Sequence, residues 1–318
     1  MKPYFFRDGI VELSQVLRGT ENIYMGIRPY GFHTGNMCTL VAYPILLCSE
    51  LKRINKIPKF TFHVFINDWE QDKLDGLDVE KYPYNILPKF TTWQYVKDPI
   101  DKKRSIVDVW EKVISAHTKL IEFYFPDTKV KIIRNSSMKM NPIMKKCLIK
   151  TIRNPAKVLQ IIKKGSNKPT LKDAIFASAV CPKCNAARGV TRVKLEDHIV
   201  HNCINCKTKS RGEYGNFDYW FYHKPLSLPR IEIYKIDLTI TNINKYKEGN
   251  FTIRKELMKQ YGMKMPPPNT LYAPVILGAN KKTMGKSKGN AFNIGLDQLL
   301  QLLNENPNSE EIIIPNSL

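Results

Sequence analysis

The sequence predicts an α/β fold, a parallel-sheet core interrupted by a cysteine-bearing insertion, on three observations. A short β-prone run, NIYMGI at 22–27, leads through the turn-rich RPYGFHTGNM into an apolar stretch of helical length, MCTLVAYPILLCSELKRI. A second β-prone run, KFTFHVFI at 59–66, follows closely, so strand, helix and strand succeed one another as in a parallel β-α-β unit. Two Cys-x-x-Cys pairs, Cys181/Cys184 and Cys203/Cys206, sit in the middle of the chain. The length, 318 residues, suits two domains or one large domain with an insertion.

Pro44 falls inside the first helix and predicts a kink there. Residues 75–97 are rich in Pro and Tyr and read as loop. Residues 105–125 carry apolar side chains at helical spacing and predict one long amphipathic helix, with a short strand at 130–133. Residues 140–164 are again helical in pattern and strongly basic: either a solvated face or a surface that tracks phosphates. The cysteines occupy 174–215. After Ile231 strand-like pieces resume, with a helix near 252–261. The run PPP at 266–268 leads into a last strand, LYAPVILG, then the loop KKTMGKSKGN and a short helix at 295–304. The expected division is 1–170 for the first half of the core with its connecting helices, 171–225 for the metal-binding insertion, and 226–318 for the second half.

Fifty Lys and Arg against 29 Asp and Glu give a formal charge of +21. Such a surface attracts nucleic acid, nucleotides or anionic lipid; a genome biased toward Lys, Asn and Ile codons produces the same excess. No apolar run approaches the roughly 18 residues of a membrane helix, and residues 1–10 lack a signal-peptide pattern. The expectation is a cytoplasmic protein with no membrane partner.

Three segments carry chemistry. In the first, Gly31 and Gly35 let a phosphate approach the backbone at a helix start, where unpaired amides and the helix dipole favour anions. His33 and Asn36, three apart, face the same ligand there. The alternative is a glycine-bearing turn with a surface histidine. In the second, Thr283 to Asn290 places Lys286, Ser287 and Lys288 with two glycines in eight positions: either a solvated basic loop, or one that closes over a triphosphate and neutralises the charge of departing pyrophosphate.

In the third, Cys181, Cys184, Cys203 and Cys206 are spaced to close a tetrahedral thiolate shell around zinc, with His198 or His201 as substitutes for one sulfur. A closed shell makes the zinc structural. Cys38, Cys48 and Cys147 read as packing residues. Asp68, Trp69 and Glu70 follow a strand end, as helix cap or as a site for a substrate amine. Tyr219, Trp220, Tyr222 and His223 form an aromatic group, as core or as pocket wall.

Taken together, the first two segments resemble the paired signatures of the class I aminoacyl-tRNA synthetases. His33-Thr34-Gly35-Asn36 is similar to His-x-Gly-His, and Met284-Gly285-Lys286-Ser287 to Lys-Met-Ser-Lys-Ser, in the same order and at a great separation. Within that class the chain most resembles the class I lysyl-tRNA synthetases, which also carry Asn at the fourth position of the first motif; HVFIND and the Asp98-Pro99 before a long helix fit as well. The resemblance spans about residues 20–295.

It implies a Rossmann-type catalytic core that activates an amino acid with ATP and Mg2+ to an aminoacyl adenylate, then transfers it to a tRNA 3′ end or another acceptor. It implies catalytic roles for His33, Asn36 and Lys286, and ATP contacts from Gly31, Gly35, Met284, Ser287 and Lys288. The chain departs from the pattern at Thr283, where the signature has Lys, and at DLTITNIN (237–244), where the family has a Gly-x-Asp-His-like segment. With few residues after 290, the expectation is that a second chain supplies the helical anticodon-binding domain, or that the acceptor is recognised without its anticodon, or that it is a tRNA-like or smaller nucleophile rather than tRNA. The other readings are a non-catalytic zinc-containing RNA-binding paralogue and a nucleotidyltransferase sharing the His-x-Gly-His motif.

Overall fold

The computed structural model describes residues 2–29, 32–69, 92–98, 100–166, 177–187, 189–194, 198–221, 223–278, 281–282 and 293–314. Thirteen strands are formed among them. In chain order they are β1 (Pro3–Phe5), β2 (Asn22–Ile27), β3 (Thr61–Ile66), β4 (Lys129–Arg134), β5 (Ala177–Ala179), β6 (Gly189–Lys194), β7 (His198–Cys203), β8 (Lys209–Glu213), β9 (Tyr219–Phe221), β10 (Leu238–Asn242), β11 (Asn269–Ala273), β12 (Val275–Leu277) and β13 (Glu311–Ile313). Six of them make one sheet in the order β1-β11-β10-β2-β3-β4, parallel throughout.

Leaving the edge strand β1 aside, the chain begins mid-sheet at β2, steps outward through β3 to β4, then returns beside β2 with β10 and steps the other way to β11. That is the doubly wound order, and its switch point falls between β2 and β10. The register marks the place. β2 pairs with β3 along its whole length, from Asn22–Thr61 to Ile27–Ile66, and β10 pairs with β11 from Leu238–Asn269 to Asn242–Ala273. Between β2 and β10 the ladder holds only Ile23–Leu238 and Tyr24–Thr239. Beyond Tyr24 the two central strands part.

Both faces of the sheet are covered, which is why its strands read as near-continuous apolar runs. Ile23, Met25, Ile27, Phe62, Val64, Ile66, Leu238, Ile240 and Leu271 point to one face. There they meet α1 (Phe6–Val16), the helix running from α2 (Thr34–Met37) to α3 (Tyr43–Arg53), α4 (Ile106–Thr118), α5 (Leu120–Tyr124) and, near the chain's end, Leu299 and Leu303. Phe65 and Ile133 point to the other face, toward α6 (Pro142–Arg153), α7 (Pro155–Gly165), α8 (His223–Tyr234), α9 (Asn244–Lys247) at its margin, and α10 (Asn250–Tyr261); α11 is Leu296–Glu305.

Several expected elements take a different form. A π turn at Cys38–Ala42 widens the backbone just before Pro44, which sits in the first turn of α3. The single helix expected at 105–125 is two, α4 and α5. α4 starts on a reciprocal cap in which Ser105 Oγ accepts from the Asp108 amide (3.2 Å) and Asp108 Oδ2 from the Ser105 amide (2.7 Å). The basic helix at 140–164 breaks at Asn154-Pro155 for want of a proline N–H. LYAPVILG divides at Pro274 into β11 in the main sheet and β12, which pairs with β13. Residues 231–234, expected as strand, close α8. At the junction of α7 and α10 the chain needs Gly249: its φ is +74°, and a Cβ there would run into the Gly165 carbonyl.

His63 lies buried on β3, its Nε2 2.9 Å from Asn22 Oδ1 and its Nδ1 with no partner. Burial, helped by the charge of Lys131, pushes its pKa down to about 4. The unfolded chain therefore binds one more proton between about pH 4 and pH 6.5, so stability falls as pH drops through that window. Chemical denaturation across it is expected to give a slope of up to about 1.4 kcal/mol per pH unit that His63→Gln removes; an unchanged slope in the variant would place the acid sensitivity elsewhere.

Candidate functional site

The segment after β2 delivers the first candidate residues to the switch point. His33 is the N-cap of α2, with extended backbone (φ −137°, ψ 169°). Its Nδ1 accepts from the Gly35 amide (3.1 Å), and Asn36 Oδ1 accepts from the His33 amide (3.3 Å). This reciprocal cap has two chemical consequences. An accepting Nδ1 puts the proton of the neutral ring on Nε2, which becomes a donor. Asn36 is left with its Nδ2 donors unengaged among the described residues, its oxygen being held by the cap. His33 and Asn36 are thus brought together as neutral donors at the start of a helix. Gly31 lies outside the described residues. Gly35 is there as the amide that holds His33, and a Cβ on it would press on the ring, 3.0 Å from Cε1.

Of the second segment, residues 283–292 lie outside the described residues, and with them Met284, Lys286, Ser287 and Lys288. Both stems are described. β12 runs beside α2 and ends at Leu277, and Gly278 takes a turn closed by the Lys281 amide on its carbonyl (2.8 Å). The chain re-enters at Asn293, and the amide of Ile294 donates to Thr34 Oγ1 (3.2 Å). Thr34, fully buried, is the residue directly after His33. Its role as an anchor was not expected from sequence, where it stood only as a motif filler.

The four motif cysteines come together. All four sulfurs lie within 4.8 Å of one another, with Cys181 and Cys206 at 3.5 Å and Cys184 and Cys203 at 3.6 Å. Thiolates about 2.3 Å from a tetrahedral metal sit at such mutual distances. The two knuckles are built alike. Cys181 N donates to Ala186 O (2.9 Å) and Cys203 N to Thr208 O (3.0 Å), and the residue after each second cysteine, Asn185 and Lys207, has positive φ (55° and 60°).

Bonds from the Thr208 hydroxyl and amide hold the Cys206 thiol down to about 6, while burial pushes Cys203 up to about 12. A bound cation removes the protons from all four. His201 is fully buried and bonded through Nδ1 to Thr191 Oγ1 (3.0 Å), outside the sulfur set. The knuckles cap the three-stranded antiparallel sheet β6-β7-β8, with β5 and β9 paired beside it. Ile199, Phe217 and Tyr219 pack into the core with α6 and α8, and Lys139 Nζ donates to Asp218 Oδ1 (2.6 Å).

Of the remaining candidates, Asp68 is buried and held by Ser136, whose amide donates to Oδ1 (3.0 Å) and whose hydroxyl donates to Oδ2; burial raises its pKa. It caps the turn after β4 and is not open to a substrate amine. Trp69 is buried, and Glu70 is outside the described residues. Tyr219 is core, stacked on Tyr214 at 5.3 Å; Tyr222 and the side chains of Trp220 and His223 fall outside the described residues. Cys38, Cys48 and Cys147 are buried, and burial raises each thiol. Among the described residues no helix is long and apolar enough to cross a membrane.

No protein-family model matches the chain, and no curated protein matches it. Among solved structures it is similar to the tyrosyl-tRNA synthetase of Archaeoglobus fulgidus complexed with L-tyrosine (TM-score 0.41, 13% identity, 88% of this chain and 63% of that one). It is similar also to the Leishmania major tyrosyl-tRNA synthetase in complex with tyrosinol (0.43, 11%, 88% and 31%) and to a glutamate tRNA ligase of Elizabethkingia meningosepticum (0.38, 11%, 86% and 53%). The chain thus spans less than two thirds of the length of each of these.

Elemental analysis of the purified protein is expected to find one thiophilic divalent metal per chain. Cys203→Ser should lose it and release the protease resistance of 177–221; a metal-free but equally resistant wild type would refute a structural metal centre.

Proposed function

We propose that this protein is a class I aminoacyl-tRNA synthetase-like ligase, which uses ATP to convert an amino acid to its adenylate. One observation carries the reading: the Ile294 amide bonded to Thr34 Oγ1 ties the re-entry point of the lysine-bearing loop to the helix start that presents His33 and Asn36. The two bonded residues stand 260 apart in the chain, and on this reading their segments flank the switch-point crevice, where doubly wound sheets bind ligands.

The chemistry asks for positioning and charge neutralisation. A carboxylate oxygen of the amino acid attacks the α-phosphorus of ATP, the bond from that phosphorus to the bridging oxygen breaks, and pyrophosphate leaves with the electron pair. No protein proton is needed. His33 Nε2, Asn36 Nδ2 and the first amides of α2 donate to phosphate oxygens; Gly31 and Gly35 leave room for them. Lys286, with Ser287, Lys288 and the Met284 backbone, closes from the other side and offsets the charge that grows on the leaving group. Mg2+ accompanies the ATP.

The four-cysteine set takes zinc, the ion that favours such a tetrahedral thiolate shell, and holds the β6-β7-β8 module against α6. That module and the basic helices α6 and α7 form the face offered to a polyanionic acceptor, a tRNA 3′ end or a tRNA-like molecule. The lysyl-like form of the first motif belongs to the same reading, which makes the protein a cytoplasmic enzyme of aminoacyl transfer.

ATP–pyrophosphate exchange across the common amino acids is expected to be supported by one of them. Lys286→Ala and His33→Ala should each lower it by about 10²–10³-fold, with metal content unchanged. Exchange absent with every amino acid, or undiminished in Lys286→Ala, would overturn the assignment.

A further inference from the structure

On the face of the sheet opposite the α2 helix, a buried cation lacks a counter-charge. Arg230, on α8, is 3% exposed. Its Nη1 donates to the Tyr24 hydroxyl (2.7 Å) and its Nη2 to Asn67 Oδ1 (3.3 Å); its guanidinium lies 5.6 Å above the Tyr24 ring and 5.3 Å above Phe65, and its Nε is buried without a partner. Every one of these neighbours is neutral. Close by, Arg254 of α10 donates to Thr239 Oγ1 (3.2 Å) and Thr270 Oγ1 (3.5 Å), again neutral, and burial together with the charge of Arg230 lowers its pKa.

Neither arginine has a carboxylate partner among the described residues. Asp68, beside Asn67, is held by Ser136, and Glu232, two residues along α8, lies toward Cys147. A guanidinium drawn out of water with no anion is costly, and such a charge is ordinarily paired; Arg254 beside it is half-buried.

The cluster lies where the ladder between the central strands ends. Tyr24 is the last β2 residue laddered to β10, and its hydroxyl reaches along the strand to stand over Gly26, 2.5 Å from where a Cβ would be. Gly26 is exposed although it lies on a central strand. Because the Tyr24 oxygen accepts from Arg230, its own proton is directed away, and no acceptor for it is found among the described residues. The result is a donor backed by the buried Arg230, with Arg254 close by, over a floor with no side chain. It stands over Gly26, one residue, roughly 3 Å, from the end of β2 at Ile27, beyond which the reacting carboxylate is placed.

From this juxtaposition of Tyr24, whose hydroxyl stands over Gly26, with Arg230 bonded to it and Arg254 close by, we infer that the activated molecule is a dicarboxylic amino acid, aspartate or glutamate, whose side-chain carboxylate is held there. The inference rests on the adenylate-forming reading. Lysine, which would add a third cation, is rejected by the same cluster. Tyr24, Arg230 and Arg254 are specificity residues; the reacting carboxylate remains with the His33 and Lys286 segments.

The test pairs binding with exchange. Thermal-shift titration without ATP, using L-aspartate, L-glutamate, L-lysine and L-tyrosine, is expected to show stabilisation by an acidic amino acid alone. Tyr24→Phe, which keeps the ring, should weaken it at least tenfold. In ATP–pyrophosphate exchange the same variant should raise the KM for that amino acid at least tenfold and leave the KM for ATP unmoved, with Arg230→Lys retaining more affinity than Arg230→Met. Exchange driven by lysine or tyrosine and not by either acid overturns this inference and leaves the synthetase reading standing. Tyr24-dependent binding of an acid with no exchange upholds the subsite and sinks the reading. No binding of either acid to the wild type overturns the subsite outright.

Discussion

The parting of β2 from β10 after the Tyr24–Thr239 pair is the constraint on which the rest of the structure depends. Two adjacent parallel strands that stop sharing a ladder leave backbone at the centre of the sheet that neither strand covers. The doubly wound order makes this unavoidable, because helices leave the two strands for opposite halves of the sheet. What lies around the gap is arranged to suit anions. A capped helix start with neutral donors stands on one face, and the buried Arg230 with Arg254 beside it on the other.

The cap at His33 shows how local structure sets chemistry. The ring accepts from the Gly35 amide, so its tautomer is decided before any ligand arrives, and Asn36 is oriented by the His33 amide. Thr34, between them, binds the far segment through Ile294. One turn of chain thus serves as helix cap, donor array and anchor, which gives a physical reason for Thr at a position the signature pattern leaves free.

Much of this was legible in the sequence, for reasons that differ by element. NIYMGI is β2 to the residue, because a parallel strand buried on both faces is a short apolar run bounded by turn formers. The cysteine set was legible because knuckle spacing is a local constraint. Asp68 was left open between a cap and a ligand group, because a carboxylate at a strand end suits both, and only the tertiary packing of Ser136 against it decides for the cap. The parting of β2 and β10 was not legible, since it depends on a pairing across more than 200 residues. Arg230 left a signal that went unread, a lone cation in the largely apolar and proline-bearing LSLPRIEIY.

Hydrogen–deuterium exchange of the whole chain, with and without ATP and Mg2+, tests most directly whether two remote segments grip one triphosphate. Peptides covering 28–39 and 281–294 should slow together on adding nucleotide, at the same half-saturating concentration. Slowing of one segment alone, or of neither while ATP is demonstrably bound, would contradict the account.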